Sequence, residues 1–116
     1  MIDVRRDPEN PAIAKMQEIV DRAVECGADS VSIEFAQEGG LEVLFMFGNT
    51  GFGDILVGPD LEAEVMELIH DRAGLENKAK GVLHWTSRGR RLKILVKEYD
   101  SFGETAYTLT LPKGAH

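Results

Sequence analysis

The chain has 116 residues, 43% of them hydrophobic and 28% charged, and thirteen Lys+Arg against twenty Asp+Glu give a net charge of −7. That length suits one domain, and the apolar content excludes wholesale disorder. The acidic balance argues against broad nucleic-acid or anionic-membrane binding, although a local basic patch remains compatible with it. No apolar run approaches the roughly 18 residues of a membrane span, and the opening Met1–Asp7 lacks the apolar stretch of a signal peptide. Cys26 is the single cysteine, so no internal disulfide forms and a cytoplasmic location is expected.

Residues 1–9 read as a short polar arm, 10–112 as one α+β domain and 113–116 as a tail. Asn10-Pro11 supplies an N-cap followed by proline at the first helical position. Ile13, Met16, Val20 and Ala23 make one apolar stripe, widened by Ile19 and Val24, and Gly27 is placed to stop the helix. Val31, Ile33 and Phe35 then alternate with polar residues as in a half-buried strand. Leu41–Phe47 is apolar at nearly every position and predicts a central strand covered on both sides. Gly48-Asn49-Thr50-Gly51 predicts a turn and Asp54–Val57 a short third strand.

Asp60 is the expected cap of a second helix whose buried stripe would be Leu61, Val65, Leu68 and Ile69, closed by Gly74. Strands are expected at Gly81–Trp85, Arg91–Lys97 and Tyr107–Leu111, separated by turns at Ser87–Gly89 and Ser101–Gly103. The order αβββ-αβββ, with hairpin-length connections, predicts two helices packed on one face of a mainly antiparallel sheet of five or six strands. Its expected core is Ile13, Met16, Val20, Val31, Ile33, Val43, Phe45, Leu68, Ile94 and Leu109.

Chemistry is sparse. Cys26 lies at the negative end of a helix, which disfavours a thiolate and predicts a small apolar role near the core. Glu67 and His70 share a helix face, but a carboxylate-bridged metal pair needs a second such motif, and Glu25 has Ala28 three residues on. The glycine-rich run Gly48–Asp54 fits neither the P-loop nor the dinucleotide fingerprint, and no Gly-Lys-Ser or Gly-Lys-Thr occurs in the chain. His70, His84 and His116 stand in no motif with a nucleophile. No catalytic residue, metal or cofactor is expected. Trp85, Arg88, Arg90, Arg91 and Lys93 cluster around one turn of an acidic chain. They form the candidate interaction patch for an acidic partner, against the plainer reading of a solvated hairpin guarded from aggregation by its charges.

The run Ala23-Val24-Glu25-Cys26-Gly27-Ala28-Asp29-Ser30-Val31-Ser32-Ile33-Glu34-Phe35 resembles the segment A-x-x-x-G-A-S-D-I-H-I-E-P of a known family. That family is the domain preceding the motor in type II secretion and type IV pilus assembly ATPases. Phe45–Asn49 loosely matches its R-x-D-G turn, Ala73-Gly74-Leu75-Glu76 its A-G-L-D, and Gly103-Glu104 its last hairpin. The resemblance implies a PAS-like α+β module that packs against motor domains in a ring-shaped hexamer. Ser32 replaces the family's histidine, and its arginine-rich segment is shortened to Asn77–Gly81. Those departures, with no motor in the chain, imply a non-catalytic, separately encoded relative.

The function expected is therefore a protein-interaction module of a secretion or pilus assembly, with a protein partner and room for a homo-oligomer. Two alternatives stand beside it. One is a small acidic export chaperone of the type III secretion kind, although Pro112 follows the last strand where a third helix would be expected. The other is a ligand-sensing PAS-like domain, with Phe45, Phe47 and Trp85 lining an apolar pocket.

Overall fold

A computed structural model describes residues 10–114; the expected arm at 1–9 and the end of the tail, His116 included, lie outside the described residues. Helix α1 spans Pro11–Cys26, and the Asn10 carboxamide oxygen accepts the Ala12 and Ile13 N–H groups at 3.0 and 3.1 Å. Gly27 ends it in the left-handed region, at φ 77°. The chain continues as β1 (Ser30–Phe35), β2 (Leu41–Phe47), β3 (Thr50–Leu56), α2 (Pro59–Arg72), β4 (Lys80–Ser87), β5 (Arg90–Ser101) and β6 (Glu104–Thr110).

The six strands form one antiparallel sheet in the order β3-β2-β1-β6-β5-β4. Each half is a meander of three strands, and the halves join where β1 pairs with β6, Val31 opposite Leu109. One face carries Val31, Ile33, Val43, Phe45, Leu83, Trp85, Leu92, Ile94, Val96, Tyr107 and Leu109, all buried in one cluster with α1 and α2. Among the described residues no helix lies over the opposite face. Strand alternation therefore separates a packed side from an open side along every strand except β3, which is exposed nearly throughout.

Several expectations need correction. Ile13 and Leu68 are only partly buried at the margin of the core. Helix α2 turns Glu62, Val65, Met66 and Ile69 inward, leaving Leu61 and Leu68 on the flanks. Its N-cap is Gly58 rather than Asp60, and the Glu62 carboxylate reaches back to accept the Gly58 N–H at 2.9 Å. That bond is why a glutamate is tolerated on the inward side. Among the described residues strand β2 is covered on one side only, with Leu44 and Met46 half-buried on the open face. Strand β3 begins at Thr50, four residues before the expected start. Gly51 and Gly53 do not break it: a Cβ at Gly53 would run into the Val43 backbone carbonyl, so glycine there is what lets the strand approach β2.

Candidate interaction surface

The β4–β5 turn is two residues long, Arg88 and Gly89, both at positive φ (54° and 81°), the geometry that matches the twist of a hairpin. It fixes the register Ser87↔Arg90, Thr86↔Arg91, His84↔Lys93, Val82↔Leu95 and Lys80↔Lys97. Residues opposite one another share a face, so Lys80, His84, Arg91, Lys93 and Lys97 all project from the open side. Val82 and Leu95 lie among them, Leu95 with 52% of its surface exposed.

The five residues of the expected patch do not form one surface. Trp85 is only 6% exposed, faces the helices, and donates its indole N–H to the Gln17 carboxamide at 3.2 Å while Arg72 lies over its ring. Arg88 turns toward the end of α1, 3.5 Å from Glu25. Arg90 donates to the Gly114 carbonyl at 2.9 Å. Arg91 and Lys93 remain exposed on the open face, joined by Lys80, His84 and Lys97. The signal that finds these three is alternation combined with the two-residue turn. Among the described residues Lys80, Arg91, Lys93 and Lys97 have no carboxylate partner, whereas Lys15, Arg22 and Arg88 are each paired. A cationic stripe thus stands unneutralised on an acidic protein.

The far side of the open face has the opposite sign. Glu34, Glu42 and Glu104 sit there at the ends of β1, β2 and β6. Tyr99 donates its hydroxyl to Glu34 at 2.6 Å, and Ser101 donates to the same carboxylate at 3.0 Å. Partial burial, reinforced by the bond to Glu34, holds the Tyr99 phenol above its ordinary pKa.

Phe45, Phe47 and Trp85 do not gather around one cavity. Phe45 lines a cleft of about 120 Å³ between α1 and the β2–β3 hairpin with Ile19, Val43, Ile55 and Leu56. Phe47 stacks on Phe52 at 5.7 Å, and Trp85 lies on β4 at the other end of the sheet. Glu67 and His70 also diverge. His70 faces Glu98 at 3.8 Å and the Tyr107 hydroxyl at 3.5 Å, while Glu67 lines a groove with Asn10, Glu64 and Asp71. Among the described residues no three His, Cys, Asp or Glu side chains converge as a metal set. Cys26 is exposed rather than tucked against the core, because it lies beside Glu25 on the outward side of the last turn of α1.

The His70 neighbourhood has a measurable consequence. Burial, with the charges of Glu98 and Asp71 nearby, pushes the Tyr107 phenol from 10.0 up to about 12. The folded state therefore holds this proton more tightly than the unfolded chain does. The resulting stabilisation is complete below about pH 10 and is lost as pH rises from there through about 12. Denaturant midpoints measured across that interval should fall, and Tyr107→Phe should make the fall shallower. An unchanged slope in the variant would assign alkaline unfolding to other groups.

The segment that carries the family resemblance is a seam in this fold. The Asp29 carboxylate accepts the Gly48 N–H at 2.8 Å, its backbone N–H donates to Met46, and its carbonyl accepts from Leu111. The end of α1 is thereby tied to the β2–β3 turn and to the end of β6. Compared with models of protein families and with curated proteins, the chain matches none. Among the described residues no helix is long and apolar enough to cross a membrane.

Proposed function

We propose that this domain is a non-catalytic protein-interaction module, a divergent relative of the PAS-like domain that precedes the motor in secretion and pilus assembly ATPases. One observation carries the interaction reading: among the described residues no helix covers one face of the sheet, and exposed cations without carboxylate partners line its β4–β5 side. Such a surface is suited to steering and orienting a partner of opposite charge. The run Ala23–Phe35 and its seam around Asp29 support the choice of relatives, because the motif there ties the two halves of the sheet together.

The test uses the purified domain and a secretion or pilus motor domain from the same genome. Size-exclusion chromatography with light scattering should show a defined complex at micromolar concentrations. Calorimetry of the domain alone with Mg-ATP should show no binding, since the lysine and hydroxyl that hold phosphates in a P-loop are absent from the required motif. No complex with the motor would remove the assembly reading. Micromolar Mg-ATP binding would remove the non-catalytic one.

A further inference from the structure

The outer face of the β4–β5 hairpin is ordered as well as basic. Read along β5 in steps of two residues, each roughly 6.8 Å, it presents Arg91, Lys93, Leu95 and Lys97. Read along β4 opposite them, it presents Thr86, His84, Val82 and Lys80. The rows are therefore cationic, cationic, apolar and cationic. A two-residue period along an exposed surface is the repeat of an extended peptide, whose alternate side chains point the same way.

We propose that this face binds an extended acidic segment of a protein partner, with carboxylates over Arg91, Lys93 and the Lys80–Lys97 pair and one apolar side chain on Val82 and Leu95. The inference rests on the reading of the domain as an interaction module and names the chemistry its partner presents. Charge complementarity fixes the sign of the occupant: all four cations are exposed, and none has a carboxylate partner among the described residues. The exposed Leu95 fixes its second feature. An apolar side chain seated between cation rows gains from burial, and burial strengthens the flanking ion pairs by excluding water.

A nucleic acid fits the same face less well. The net charge of −7 opposes a long polyanion. A backbone crossing the sheet would also run onto Glu34, Glu42 and Glu104. The indole of Trp85, on β4, is buried on the other side and offers no ring for base stacking.

The experiment uses a fluorescent heptapeptide with glutamate at positions one, three and seven, leucine at five and threonine between. Anisotropy at low salt should show saturable binding, weakened about tenfold or more by Lys93→Glu with Lys97→Glu. Lys113→Glu, which reverses one charge at an exposed lysine beyond β6, should leave binding unaltered. Replacing the peptide leucine by threonine should cost about tenfold, in the range expected for one well-buried side chain. Thermal unfolding of each variant shows that the fold is kept. No saturable binding would overturn the proposal. Equal binding of the threonine peptide would overturn it as well, by leaving charge alone to explain the affinity. Tighter binding of an oligothymidylate of the same charge would reassign the face to nucleic acid. Complex formation with a motor domain, described above, is an independent readout. A peptide failure beside a stable motor complex would remove this inference alone.

Discussion

Replacing Phe45 by alanine is expected to lower stability by about 4 kcal/mol, within the range for a buried aromatic truncated to alanine. Phe45 is only 2% exposed, sits in the middle of β2 opposite Val31 and Phe52, and has the Arg22 guanidinium 5.1 Å from its ring centre. Truncation removes both the buried ring and the support it gives Phe52, whose ring centre lies 5.7 Å away. The neighbouring Leu44 is the control. It points to the open face and is half-exposed, so Leu44→Ala should cost about 1 kcal/mol. Urea or guanidinium midpoints measure both. A larger loss at Leu44 than at Phe45 would mean that β2 is shifted by one residue, since a one-residue slip exchanges the faces of a strand.

Gly81→Ala should be nearly as damaging, at about 3 kcal/mol. A Cβ at this position would stand 2.0 Å from the Ala73 carbonyl oxygen and 3.0 Å from the Leu75 side chain. The obstacle is backbone, which no rotamer change relieves. The chain leaving α2 lies directly on β4 at this point, and the absence of a side chain is what permits the contact. Gly89→Ala provides the comparison: its surroundings are open, but φ is 81°, so only backbone strain of about 1 kcal/mol applies. Hydrogen exchange should show the Gly81 variant loosening the end of α2 and β4 before the rest of the sheet. A Gly81→Ala protein as stable as the parent would show that α2 and β4 do not meet there.

Most of the architecture was legible in the chain. Asn10-Pro11 and Gly27 bracket α1 by local chemistry alone. Period-two alternation identified β1, β5 and β6, and the short turns dictated antiparallel neighbours. These signals act between residues close in sequence, through capping, turn geometry and side-chain direction, so one sequence suffices to read them.

Tertiary packing decided the rest. Glu62 turns inward on α2 because its carboxylate binds Gly58, a contact that hydrophobic spacing does not register. Strand β2 looks two-sided from composition, but no element of the described residues lies over Leu44 and Met46. The basic residues around Gly89 were visible as a cluster, yet their division was not. Arg88 and Arg90 are drawn away by Glu25 and Gly114, and Trp85 is buried against α1. Lys80 and Lys97 are seventeen positions apart in the chain and become neighbours through the β4–β5 register. Whether a charge remains unpaired on a surface depends on which distant groups the fold brings within reach, and that is a property of the folded chain.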